Sequence, residues 1–334
     1  MLSYEWVKIV IGIIIGVVVW SLAFTMLATR ATVGEQFVFV VYENVYTINQ
    51  NKNDQLLQNM KEDGTFSYDV LKATVSDIAS AGQYSASYML SLRVTTQEGD
   101  VMLISDGRLS KILSSGNESE SSSESSSQKD PSDEIKKAIN ARYFYDINDF
   151  LNDAKDYCLN LGGGFIIENA DGTYTINNAA IDSYFRTVRM NEASNYRKTY
   201  RTEEQIKAAV ELEIKRITDI YENYLYLSNA IQTAKDGGAD FLWYGEIYDY
   251  DENGYLDESK STTYALGIDL YKLNSPFISQ GKPKVEDTWY TVANGKTSSE
   301  GLVMCVFDFK HYQNDLQYES LAFLTRIVKT YSGY

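Results

Sequence analysis

Short apolar runs alternate with helix-spaced segments between residues 37 and 113. The runs at 37–42, 69–76 and 101–105 are rich in β-branched and aromatic residues, which is typical of buried strands. Segments 54–61 and 84–97 place apolar residues three or four positions apart and predict helices. This β-α-β-α-β order, with a further helical turn at 109–113, predicts parallel strands joined by crossover helices.

The middle of the chain has helical periodicity. Helices are predicted at 133–144, 147–161 and 203–235, and a small hairpin joins 165–167 to 174–176 after three glycines. Thr202 and Gln205 form a capping-box pattern at the start of the longest helix. Its apolar stripe from Val210 to Ile231 is wide, which favours packing on the domain over a coiled-coil seam.

The C-terminal third returns to strands. Strands are predicted at 241–248, 263–270 and 302–309, followed by an amphipathic helix at 315–331. Residues 114–132 are serine-rich and are predicted to be a disordered loop, because they cannot bury enough apolar surface to become ordered. The predicted organisation therefore comprises five parts: 1–30 as an anchor, 31–113 and 239–334 as two parts of an α/β domain, 114–132 as the loop, and 133–238 as a helical insertion or second lobe.

The N-terminal segment is the strongest apolar feature. Residues 9–28 carry no charge, and twenty helical residues span about 30 Å, the thickness of a bilayer core. We therefore predict a single-pass transmembrane helix with the bulk of the chain outside the cytoplasm. A cleaved signal peptide is less favoured, because the run is long and small-residue cleavage sites are poor. Gly12 and Gly16 match the small-xxx-small pattern, so self-association through this helix is a further expectation.

Composition excludes several classes of function. The 334-residue chain has a net charge of −16, so broad nucleic-acid binding is not expected. One histidine and two cysteines provide too few ligands for a zinc-type site. No nucleophile elbow, zinc-protease or dinucleotide motif is present, and we predict no catalytic residue, no metal and no cofactor. Cys158 and Cys305 are compatible with either a disulfide or two buried thiols.

Polar side chains follow the three predicted strands. In open α/β sheets ligands bind outside the carboxyl ends of the strands. The candidate ligand-binding residues there are Glu43, Asn44, Asp77, Ser105 and Asp106. The alternative is that they only begin loops and cap helices.

Two further clusters have both a functional and a structural interpretation. Residues 249–257 carry oxygen ligands at calcium-loop positions, but Lys260 replaces the required glutamate, so an acidic hairpin turn is favoured. Five basic residues are candidates for an anion site or for pairing with acidic helices, and the structural interpretation is favoured. They are Arg186, Arg189, Arg197, Lys198 and Arg201.

The order of elements resembles the first lobe of extracellular solute-binding proteins. The segments FVFVVYEN, VLKATVS and GDVMLIS carry the resemblance, FYDINDFLNDA extends it, and it covers residues 37–113, 143–154 and 261–334. It implies a periplasmic-binding-protein-like α/β fold, with ligand contacts near the end of the first strand. The chain departs from that family in having an apolar helix in place of a lipidated cysteine, and a helical block in place of a recognisable second lobe.

These observations predict a membrane-anchored, extracytoplasmic, non-enzymatic binding domain. Its expected partners are the lipid bilayer and a small-molecule ligand or a membrane protein, such as a transporter that it serves. The alternative is a structural or assembly component of a cell-surface complex. Assembly would be indicated by an exposed apolar stripe along Val210–Ile231.

Overall fold

A mixed six-stranded sheet organises the chain, with the strand order β2-β1-β3-β8-β7-β6. The computed structural model describes residues 5–27, 35–42, 50–78, 83–105, 139, 141–192, 199–250, 256–273, 301–309 and 318–332. The strands are β1 (Gln36–Val41), β2 (Lys72–Asp77), β3 (Val101–Ser105), β6 (Leu242–Tyr250), β7 (Leu256–Asp269) and β8 (Leu302–Val306), with β4 (Ile166–Glu168) and β5 (Tyr174–Ile176) in a separate hairpin.

Eight α-helices lie within the described residues. They are α1 (Glu5–Leu27), α2 (Gln50–Glu62), α3 (Gln83–Thr96), α4 (Ile147–Asn160), α5 (Asn178–Tyr184), α6 (Met190–Glu192), α7 (Glu203–Asp236) and α8 (Glu319–Tyr331). A π-helical turn, Phe185–Arg189, joins α5 to α6. The predicted turn at 109–113 and the serine-rich loop lie outside the described residues.

The predicted pairing of the first three strands is confirmed. β1 pairs in parallel with both β2 and β3, while β8 and the β6–β7 hairpin add antiparallel strands. β2 begins three residues later than predicted: the Val70 N–H donates to Ser67 O in a turn, and the Leu71 N–H donates to Glu35 O just before β1. The sheet therefore joins strands from the parts before and after the helical segment.

The two faces of the sheet carry different helices. Phe37, Phe39 and Val41 of β1 pack with α2, α4, α7 and α8 on one face, which we call the helix-rich face. Val40 and Tyr42 pack with α3 on the other, the α3 face. This alternation follows from the two-residue period of a strand. Cys158 lies on the helix-rich face and Cys305 on the α3 face; both are buried and unbridged.

The expectation of a transmembrane helix is wrong. In the part of the chain that the structure describes, no helix is both long enough and apolar enough to cross a membrane. Around Gly12 and Gly16 there is open space within 4 Å of an added Cβ, and self-association there stays a prediction.

The helix α7 begins as predicted. The hydroxyl of Thr202 accepts a hydrogen bond from the backbone of Gln205, and the Gln205 side chain accepts from the backbone N–H of Thr202. Val210, Ile217 and Ile231 are buried within the chain, so packing on the domain is confirmed. The exposed stripe that assembly through α7 requires is not found on this described helix.

A buried cluster of four charges attaches the helical segment to the sheet domain. We call Asp69, Arg189, Glu213 and Arg216 the ion cluster; each is at most 5% exposed. Arg189 contacts the Asp69 carboxylate, and Arg216 Nη2 lies 2.8 Å from Glu213 Oε1. The positive and negative charges balance, which offsets the cost of removing each from water.

Hydrogen bonds complete this cluster. The Tyr68 hydroxyl donates to Glu213 Oε2 at 2.8 Å, and Arg216 donates to the Tyr157 hydroxyl. Burial would raise the pKa of Glu213, but the charges of Arg216 and Arg189 outweigh burial and lower the pKa to about 2. Glu213 and Arg216 are therefore charged at neutral pH.

Substitutions of Arg189 and Arg186, which are three residues apart, test how much the ion cluster stabilises the fold. Arg189→Met is expected to lower the free energy of unfolding by about 3–5 kcal/mol, because it leaves two buried carboxylates with Arg216 as the one remaining cation of the cluster. Arg186→Met is the matched control: Arg186 pairs with Asp182 and Glu203 at the surface, and its loss should cost about 0–1 kcal/mol. Urea unfolding measures both, and equal costs would contradict the importance assigned to the cluster.

Candidate functional site

The carboxyl ends of β1, β2 and β3 meet at one edge of the sheet, which we call the carboxyl edge. Val41 of β1 lies opposite Asp77 of β2 and opposite Leu103 of β3. The N–H of Ile78 donates to Val41 O at 3.0 Å, and the N–H of Tyr42 donates to Leu103 O at 3.0 Å. These bonds hold the three strand ends at one level.

The structure describes two of the five predicted site residues. Asp77 is the last residue of β2 and is half-buried. Ser105 is the last residue of β3, where its backbone pairs with Leu302; its side chain is outside the described part. With strands about 4.8 Å apart, β2 and β3 lie about 10 Å apart across β1. Glu43, Asn44 and Asp106 lie outside the described residues, and their part in a site stays a prediction.

The helices that follow β1 and β2 pack on opposite faces of the sheet. The helix that follows β1, α2, packs through Leu57 and Met60 on the helix-rich face, whereas α3, which follows β2, packs through Leu90 on the α3 face. β1 is therefore flanked by crossovers that lie on opposite sides of the sheet. Ligands in open α/β sheets bind outside the carboxyl ends at such a switch point.

The first turn of α2 also lies at the carboxyl edge. At the other end of the helix, Lys61 Nζ donates to Leu71 O, and the Leu71 N–H donates to Glu35 O just before β1. The end of α2 is therefore at the amino edge, where the parallel strands begin. Because the helix is 13 residues long, its N-terminus lies about 18 Å away, toward the carboxyl edge.

Asn53 is a residue that the sequence analysis missed. It lies three, four and seven positions before Leu56, Leu57 and Met60, on the stripe of α2 that faces the sheet, and it is 1% exposed. Neither Nδ2 nor Oδ1 has a hydrogen-bond partner among the described residues. A buried polar group without a hydrogen bond costs about 1–3 kcal/mol of stability, so the presence of an asparagine at this position requires an explanation. The feature of the sequence that could have revealed Asn53 is an asparagine at a position where the helical spacing predicts a core residue.

The other predicted clusters have structural roles where they are described. Arg186 donates to Asp182 and Glu203, and Arg189 belongs to the ion cluster. Arg201 donates its backbone N–H to Gln205, and Arg197 and Lys198 lie outside the described residues. The structural interpretation is confirmed for Arg186 and Arg189.

The predicted acidic turn lies between β6 and β7, and its residues 251–255 are outside the described part. The carboxylate of Asp257 accepts from the backbone and hydroxyl of Ser259 and pairs with Lys260 Nζ at 3.1 Å. Within the described ranges no three His, Cys, Asp or Glu side chains are placed to hold a metal.

No family model, curated protein or solved structure matches this chain. The resemblance to extracellular solute-binding proteins therefore stays a prediction, and function has to be argued from the residues themselves.

Asp100 is a titratable group with a raised pKa at the amino edge. Its carboxylate Oδ2 accepts from the Val38 N–H at 2.6 Å, and its backbone bonds to Val38 and Phe307. Burial raises the pKa of Asp100 to about 7, the Val38 N–H acts in the opposite direction, and the charge of Glu319 adds to the rise. Folding therefore favours the protonated form of Asp100 relative to the unfolded chain.

The pH dependence of stability follows from this shift. Because the folded pKa lies above the ordinary value of 3.8, the stabilisation is complete below that value and is lost as the pH rises through about 7. We expect Asp100→Asn, relative to the wild type, to be more stabilising at pH 8 than at pH 5, as measured by urea unfolding. Asp54→Asn, at an exposed position, is the control. A difference between Asp100→Asn and wild type that is the same at both pH values would contradict the shift.

Proposed function

We propose that this chain is a non-enzymatic binding domain that holds a small polar solute at the carboxyl edge of its sheet. The observation that carries the proposal is the amide of Asn53, which is buried in the first turn of α2 and has no hydrogen-bond partner among the described residues. An amide offers two donors and two acceptors, so a ligand with hydroxyl or amino groups can satisfy it.

Two further features support this assignment. Asp77 is at the same edge and supplies carboxylate oxygens, which accept hydrogen bonds from donors on the same class of ligand. The strand that ends at Asp77 is held by parallel pairing with β1, which fixes the backbone that carries this carboxylate. Rigid placement lowers the entropy cost of binding.

Thermal unfolding against a panel of sugars, amino acids, peptides, phosphate and calcium tests the proposal. A ligand at 100 times its Kd should add about 2.7 kcal/mol to the free energy of unfolding and raise the midpoint by a few degrees. Asn53→Leu and Asp77→Ala are expected to remove this shift. Asn53→Leu should itself be more stable without ligand, by about 1 kcal/mol, because the unsatisfied amide is gone.

Asn59→Leu is the matched control, because Asn59 lies on the same helix but is exposed. It should keep the ligand-induced shift. If no compound stabilises the wild type, or if Asn53→Leu and Asp77→Ala respond like the wild type, the carboxyl edge is not the binding site.

A further inference from the structure

A polar cleft of about 360 Å³ lies between α7, α8 and the turn that follows α2. The turn, residues 63–65, leads from α2 to β2, so the cleft is near the amino edge and away from the carboxyl edge. Its volume is at the lower end for small-molecule pockets, which suits one small solute.

The two helical walls of the cleft carry opposite charges. Arg326 and Lys329 are three positions apart on α8 and therefore share one of its faces; Asp219 and Glu222 do the same on α7. Lys215 is also part of the α7 wall, where it pairs with Asp219. The cleft thus presents a basic wall opposite a mainly acidic one.

The acidic wall is held in place by neighbouring groups. Glu222 Oε1 accepts from the Tyr174 hydroxyl at 2.7 Å, which fixes the carboxylate and leaves a second oxygen for a ligand. The Thr325 hydroxyl lies 3.4 Å from the backbone oxygen of Asn223, so the two walls also contact each other.

The cationic groups of the basic wall are available to a ligand carboxylate. Lys329 Nζ lies 4.6 Å from the centroid of the Tyr226 ring, and it takes part in none of the ion pairs that the described residues form. Arg326 Nη2 pairs with Asp63 Oδ2 at 3.2 Å, but both side chains are more than a third exposed. Such a surface pair contributes little, so a ligand carboxylate can replace Asp63 at small cost.

We propose that this cleft binds a zwitterionic small molecule of the α-amino acid class. Its carboxylate lies against Lys329 and Arg326 on α8, and its ammonium lies against Glu222 and Asp219 on α7. A ligand with only negative charge would meet the acidic wall, and one with only positive charge would meet the basic wall, so each is disfavoured by repulsion. This site is separate from the carboxyl edge and does not rest on the function proposed there.

Calorimetric titration of the full chain with the twenty amino acids identifies the tightest ligand. Titrations with alanine, propionate and ethylamine then measure how much the ammonium and the carboxylate each contribute to binding. We expect alanine to bind at least tenfold more tightly than either analogue, because each analogue lacks one charged group. Lys329→Met and Glu222→Gln should each weaken amino-acid binding at least tenfold. Glutamine at 222 can still accept from Tyr174, so the wall keeps its support.

Lys260→Met, which removes an exposed lysine outside the cleft, is the control and should bind as the wild type does. Asn53→Leu should also leave this binding unchanged, which distinguishes failure here from failure at the carboxyl edge. The proposal is overturned if no amino acid binds with a Kd below 10 mM (about 2.7 kcal/mol). It is overturned equally if propionate or ethylamine matches alanine, or if folded Lys329→Met binds normally.

Discussion

The ion cluster of Asp69, Arg189, Glu213 and Arg216 is the interaction on which the arrangement of the helical segment depends. Its members come from the turn before β2, the π-helical turn and α7, so three separate parts of the chain meet in one buried place. A buried charge without its partner is strongly destabilising. Other placements of these elements would separate one of the charges from its partner. The cluster therefore acts as a constraint on geometry more than as a source of net stability.

The position of α7 has consequences on both of its sides. Its inner side carries Glu213 and Arg216 into the ion cluster, together with apolar residues that join the helix-rich core. Its outer side supplies Asp219 and Glu222 to the cleft opposite α8. The same helix thus links the buried ion cluster to the open polar cleft. The orientation of the acidic wall follows from the packing of the inner side of α7.

The carboxylates near the amino edge and the amide of Asn53 differ in how they are satisfied. Near the amino edge, Asp100 bonds to Val38 and Glu319 accepts from Ser67, so described carboxylates there have partners within the chain. In the first turn of α2, by contrast, the buried amide of Asn53 has none among the described residues. Groups that are satisfied internally stabilise the fold, whereas a buried group that is not satisfied is available to a ligand.

Local patterns were sufficient for much of the fold. Runs of β-branched residues predicted β1 and β3, and the capping box of Thr202 and Gln205 placed the start of α7, because these signals act over a few residues. The parallel pairing of β1 with β2 and β3 followed from the order of elements. The membrane-spanning prediction from residues 9–28 was wrong, since no described helix meets that requirement.

What only the tertiary structure decided was which distant residues meet. Glu213 and Arg216 looked like ordinary helix charges between Val210 and Ile217, and their burial became visible only when Asp69 and Arg189 were placed beside them. The cleft needs α7 and α8, more than eighty residues apart in the chain, to lie side by side. The sequence by itself determined the elements and their order through local hydrophobic periodicity and capping. Burial, charge pairing and the two candidate sites depend on long-range contacts, which local patterns do not encode.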